Sequence, residues 1–129
     1  MRGQVPPSPP VEWFTGGIIE RRKLEEYLLS PAHLDGKNKL RLWRSVFGIG
    51  EVDAELLEYL IRAYLPQAAL EERKPTITWE EPPRMIRRWE LVIPRFRGPN
   101  GNEGPVLTAW ALVPGKDLPH LTTAYPLVR

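Results

Sequence analysis

The sequence predicts an α+β fold, with three N-terminal helices packed on a four-stranded antiparallel meander sheet. Three observations lead there: apolar residues recur at helical spacing up to Pro66, β-branched and aromatic runs follow, and turn residues separate those runs at hairpin intervals. A chain of 129 residues suffices for one core, and 42% hydrophobic with 26% charged residues is a globular balance.

Residues 1–17 hold a proline-rich tract and Gly16-Gly17 and read as an extended arm, which Trp13 and Phe14 are placed to pin to the core. The domain proper is expected over 18–129. Between Ile18 and Ser30, Leu24, Tyr27 and Leu28 recur at helical spacing, and Pro31 ends the pattern because the residue before a proline is pushed out of the helical region. Asp35 is placed as N-cap of a second helix over 36–47, with Leu40, Trp43, Val46 and Phe47 as its apolar stripe and Gly48 as its stop. Asp53 is placed as cap of a third, over 54–65, whose Leu56, Leu57, Leu60, Ile61 and Tyr64 give a wide apolar face before Pro66. Strands are then expected over 76–79, 85–93, 106–113 and 120–125. Gly98-Pro99-Asn100-Gly101 and Pro114-Gly115-Lys116-Asp117 supply the turns between the last three.

Several chemistries are disfavoured. There is no cysteine, so disulfides, thiolate metal sites and a thiol nucleophile are absent. The two histidines, His33 and His120, lie far apart and form no metal-binding motif, so no catalytic metal is expected. No glycine-rich phosphate loop follows a strand and opens a helix, which argues against a nucleotide cofactor; no other cofactor is expected. Ser8, Ser30 and Ser45 do not sit on the strand-to-helix turn of a serine hydrolase. No apolar run approaches the roughly 20 residues that span a bilayer, and the amino terminus lacks a signal-peptide core, so a cytoplasmic protein, or a domain delivered by another system, is expected. Fifteen prolines with few Asn or Gln resemble the composition of thermophile proteins.

The net charge of +2 is unevenly spread. Lys37, Lys39, Arg41 and Arg44 follow one another without an acid, and Arg84, Arg87, Arg88, Arg95 and Arg97 face only Glu90. The stretch 51–72 is acidic. Such runs also occur as ordinary solvated faces.

His33, Lys37, Lys39, Thr108, Thr122, Thr123 and Tyr125 remain as candidates for chemistry. Cleaving RNA without a metal needs a base for the 2′-hydroxyl, an acid for the leaving 5′-oxygen, and donors on the phosphoryl oxygens. His33 lies just ahead of the basic helix, and histidine is the residue type most often used for acid or base work, although a histidine there also serves as a cap. Lys39 is a candidate for the phosphorane, although a solvated lysine is commoner. Thr108, Thr122, Thr123 and Tyr125 could offer hydroxyls on neighbouring strands, where threonine also serves β propensity alone. Lys37, Arg41, Arg44, Arg87 and Arg88 are the candidates for holding an RNA backbone.

A family resemblance rests on five segments: Lys23-Leu24-Glu25-Glu26-Tyr27-Leu28-Leu29-Ser30-Pro31-Ala32-His33, Gly36-Lys37-Asn38-Lys39, Gly98-Pro99-Asn100-Gly101, Leu107-Thr108-Ala109-Trp110 and Thr123-Ala124-Tyr125-Pro126. In this order they resemble an uncharacterised bacterial domain family, domain of unknown function 6883, members of which also look like C-terminal modules of polymorphic toxins. The layout is similar to ribonuclease toxins of the barnase, EndoU, colicin and RelE type. That similarity implies a metal-independent ribonuclease, with His33, Lys39, Thr108, Thr123 and Tyr125 as the shared site positions. Leu34 stands where the family has a proline, Asp35 precedes its glycine, and 71–83 is rewritten with extra prolines.

Two other readings stand beside this one. The domain could be a non-catalytic interaction module, such as an immunity or antitoxin-like protein with a small cognate partner, docking through its acidic third helix or exposed tryptophans. It could also bind single-stranded nucleic acid without cutting it.

Overall fold

The computed structural model describes residues 5–128. A short helix, α1 (Val11–Thr15), precedes α2 over residues 21–28, where the α-turn Arg21–Lys23 continues as the π-turn Leu24–Leu28. Helix α3 spans 36–47, again an α-helical part, Gly36–Leu42, followed by a π-turn, Trp43–Phe47. Helix α4 (Ala54–Tyr64) ends in a 3₁₀ turn, Leu65–Gln67. The strands β1 (Ala69–Ile77), β2 (Met85–Arg97), β3 (Glu103–Leu112) and β4 (His120–Pro126) form one antiparallel sheet in the order β1-β2-β3-β4. The fold is therefore α+β with an antiparallel meander.

The helical part differs from expectation by one element. α1 lies in the proline-rich stretch, where Pro10 takes the extended N-cap position and Phe14 is driven into the core. There Phe14 meets Trp89 and Trp110 edge-on, at centroid distances of 5.4 and 5.8 Å. Strand β1 begins at Ala69, well before residue 76, and Trp79 lies beyond it. Its Glu71-Glu72-Arg73-Lys74 run carries no apolar alternation because β1 is an edge strand with almost all its residues exposed. Cross-strand ion pairs take the place of an apolar face: Arg87 with Glu72 at 2.9 Å, and Arg73 with Glu90 at 4.0 Å.

On β2 the alternation holds, with Trp89, Leu91 and Ile93 buried. A register shift after Ile93 then returns Phe96 to the core, against Phe47 at 4.9 Å and Trp43 at 5.6 Å. Leu57 and Ile61 of α4 join the same buried cluster. Among the described residues no helix is long and apolar enough to cross a membrane.

Helix α3 is held at both ends. Gly48 stops it in the left-handed region, with φ of 74°. The Gly98–Gly101 turn then closes over that end: the side-chain amides of Asn100 and Asn102 donate to the Val46 carbonyl at 3.2 and 2.9 Å. A β-carbon on Gly98 would overlap Phe47, so only glycine fits this approach. At the other end Asp35 is not the cap expected from sequence, for its side chain makes no capping bond. The His33 imidazole does that work instead, Nδ1 accepting from the backbone N–H groups of Asp35 and Gly36, both at 3.1 Å.

Candidate functional site

Tyr27 organises the site. It lies in the π-turn of α2, and its carbonyl sits against Gly36 so closely that a β-carbon there would collide with it. This contact brings the start of α3 onto α2. The His33 ring meets the Tyr27 ring edge-on, with centroids 4.7 Å apart. The half-buried Lys39 places its ammonium 5.0 Å from the Tyr27 centroid and 5.6 Å from that of Tyr125 on β4. Lys23, one turn before Tyr27, holds its ammonium 5.7 Å from the same Tyr27 ring.

An open cleft of ≈ 600 Å³ lies beside this cluster, lined by Lys23, Tyr27, His33 and Thr122 together with Glu20, Arg22, Glu26 and Asp35. Its charges are partly committed to one another. Arg22 and Glu26 pair at 2.8 Å, a hydrogen bond that holds the Glu26 carboxyl below the usual carboxylate range and the Arg22 guanidinium above its own. Glu20 lies 3.5 Å from Nδ1 of His120. The side chains of Lys23 and Lys39 make no salt bridge or hydrogen bond among the described residues, so both ammoniums are available to an anion.

His33 is restricted by its capping role. With Nδ1 accepting two N–H groups, the hydrogen bonds assign the imidazole proton to Nε2, which leaves a hydrogen-bond donor and no free lone pair. As placed, this ring donates; it does not serve as a general base.

Two of the expected hydroxyls are withdrawn from solvent. Thr108 is 0% exposed, donates to the Leu91 carbonyl at 2.8 Å and accepts from Trp110 Nε1 at 2.8 Å, so it is a core hydrogen-bonding residue. Thr123 Oγ1 is buried without a partner. Thr122 is exposed and lines the cleft instead, because the register shift between Ala109 and Trp110 leaves it unpaired; its hydroxyl donates to the Ala109 carbonyl at 3.1 Å.

The basic candidates divide. Lys37, Arg41 and Arg44 line a second groove of ≈ 470 Å³, floored by Leu40 and Pro31. Arg44 pairs with Glu51 at 3.3 Å, and Arg41 donates to Asn38 at 3.3 Å. Arg87 does not join them. Its guanidinium binds both oxygens of Glu72, at 3.0 and 2.9 Å, donates to the Pro7 carbonyl at 3.1 Å and stacks 4.8 Å from Trp89. Arg88 follows it on the same strand and points to the opposite face, so the pair cannot share one backbone-binding surface.

His33, Lys39 and Tyr125 thus gather around Tyr27, while Thr108, Thr123 and Arg87 do not. Sequence reasoning passed over Tyr27 and Lys23 as site residues, while Thr122, one of the hydroxyls it offered, does line the cleft. The first two stand in the segment that begins Lys23-Leu24, at a spacing of four that places both on one side of a helix, and this was the signal available.

The molecule is thus a small α+β domain with a lysine-tyrosine-histidine cluster at the junction of two helices and an edge strand. One protein-family model, described as a domain of unknown function (DUF6883), matches residues 14–128. The chain belongs to that family. No curated protein and no solved structure matches it.

Proposed function

We propose that this domain is a metal-independent ribonuclease of the toxin type, with its reaction centre at Tyr27, Lys39 and Tyr125. The observation that carries the reading is the Lys39 ammonium, half-buried between two tyrosine rings with no carboxylate partner among the described residues, beside a cleft lined by the His33 imidazole. Lys39 supports the charge that grows on the phosphoryl oxygens, and His33 Nε2–H donates to one of them. The 2′-oxygen forms its bond to phosphorus as the P–O5′ bond breaks. Tyr125 gives its phenolic proton to the departing 5′-oxygen, the 2′-hydroxyl proton goes to cleft water, and that water restores Tyr125. The products are a 2′,3′-cyclic phosphate and a 5′-hydroxyl. Lys37, Arg41 and Arg44 form the track for the RNA backbone. Thr108, Thr123 and Arg87 have no part in this mechanism.

Incubating the protein with total RNA in the presence of chelator tests the reading, alongside Lys39→Ala and His33→Ala. Cleavage to cyclic-phosphate ends, abolished in Lys39→Ala and reduced in His33→Ala, is the expected result. Equal cleavage by all three proteins removes the claim, and salt-sensitive retention of RNA without products replaces it with simple binding.

A second reading has its own observation. Trp79 is 103% exposed, beside Ile77 at 66% and Met85 at 62%, which pair across the β1–β2 hairpin. A non-catalytic module bound to a cognate protein would use such a surface. A stoichiometric partner captured by the wild type and lost in Trp79→Ser, with no RNA cleavage, would favour it.

A further inference from the structure

On the sheet face turned away from Trp89 and Leu91, strand β1 is poorly matched to its neighbour. Glu71 lies directly opposite Glu90 and Arg73 directly opposite Arg88, so two successive rows across β1 and β2 bring like charges together. Relief comes along the strand and on the diagonal, where Arg73 pairs with Glu71 at 2.6 Å and with Glu90 at 4.0 Å. The outer side of β1 is bare: among the described residues no strand or loop backbone pairs with it.

We infer that β1 is the interface to a second copy of this chain, paired antiparallel about a two-fold axis at Glu72, so that the two sheets run on as one. The register follows from charge and symmetry. Under a two-fold axis perpendicular to the sheet, directly opposite residues share a face, and an axis at Glu72 sets Glu71 against Arg73 of the second copy and Arg73 against its Glu71. Each like-charged row then continues into an oppositely charged one: Glu90 and Glu71 meet Arg73 and Arg88 of the second copy, and the symmetry repeats the row. An axis at Glu71 would line up four carboxylates, and one at Arg73 four guanidiniums, so both are disfavoured. At the axis itself two Glu72 carboxylates approach, each already bound through both oxygens by its own Arg87 at 3.0 and 2.9 Å.

Pro75 has no N–H to give and ends the ladder, which leaves residues 70–74 of each chain to form about four to six backbone hydrogen bonds. Charged residues on an edge ordinarily keep foreign strands away. Here the same charges admit one partner, the chain itself. No residue of β1 lines the cleft beside Tyr27, so the inference stands apart from the RNA-cleaving reading.

The test is sedimentation equilibrium of the full chain across the micromolar to millimolar range, at low and high salt. The wild type should dimerise, and less tightly at high salt. Glu71→Arg sets cations against Arg73 of the second copy, and Arg73→Glu sets carboxylates against its Glu71; each alone should raise the dissociation constant roughly tenfold or more. Both changes remove a like-charged row within the chain, against Glu90 or Arg88, so neither should cost the fold, which circular dichroism checks. Mixing the two variants restores opposite charges at both positions, and the mixture should associate about as tightly as the wild type. A chain carrying both Glu71→Arg and Arg73→Glu should do the same by itself. A wild type that stays monomeric throughout the range would overturn the inference, as would undiminished dimers of both single variants or a mixture that fails to associate.

Discussion

Gly36 rests on the carbonyl of Tyr27 with no room for a β-carbon between them. This one contact fixes the separation of α2 and α3, and with it the distance from Lys39 to the Tyr27 ring. Gly36→Ala should therefore force the helices apart, with a loss of about 1–3 kcal/mol in chemical denaturation, the usual range for overpacking. RNA cleavage should fall further than stability does. A variant with wild-type stability and activity would show that the contact does not set the site.

His33 predicts a separation of structural from chemical effects. Its Nδ1 caps α3, so His33→Ala should cost about 1 kcal/mol, seen as a fall in Tm of roughly 3–5 °C. His33→Asn, whose side-chain oxygen can accept from the same N–H groups, should recover most of the stability but not the Nε2–H donor. Cleavage that returned together with stability in His33→Asn would make the imidazole a cap and nothing more.

The Glu72–Arg87 pair gives a pH dependence of known sign. The hydrogen bond from Arg87 holds the Glu72 carboxyl below the usual carboxylate range. A depressed folded-state value means the contribution is present above the unfolded carboxylate range and is lost as pH falls through the folded value. Glu72→Gln should accordingly lower stability at pH 7 and make little difference at pH 2. The side chains are 45% and 31% exposed, so solvent screening keeps the effect at pH 7 below about 1 kcal/mol. Melting curves at the two pH values decide it, and an equal deficit at both would mean the pair is not the cause.

Trp79 should be neutral for the fold. Being fully exposed beyond the end of β1, Trp79→Ser should leave stability within about 0.5 kcal/mol of wild type. A larger loss would mean that the hairpin end is covered in solution by a second molecule.

The α+β class, three of the helices and the last three strands were legible because period and punctuation agreed over those stretches. Trp89, Leu91 and Ile93 alternate as a half-buried strand should, and Asn100-Gly101 closes its hairpin. Strand β1 was legible only in part, since its stabilising partners, Arg87 and Glu90, lie on another strand and leave no local pattern. The site was half legible. His33, Lys39 and Tyr125 carry polar groups whose clustering a motif can suggest. Whether Thr108 faces solvent or accepts from Trp110 depends on which face of β3 is covered, and no residue within the strand reports that. The true cap of α3 was hidden for a related reason: Asp35 has the right chemistry for capping, but its helical φ of −82° and ψ of −39° do not place it to cap.

The clamps on α3, an imidazole at its start and two asparagine amides at its end, have a kinetic consequence. The Lys39 ammonium can travel only by its own side-chain torsions, while the helix beneath it stays put. Capture of a ligand at Tyr27 should therefore be a single encounter, with an observed rate rising linearly with ligand concentration and no slow isomerisation after it.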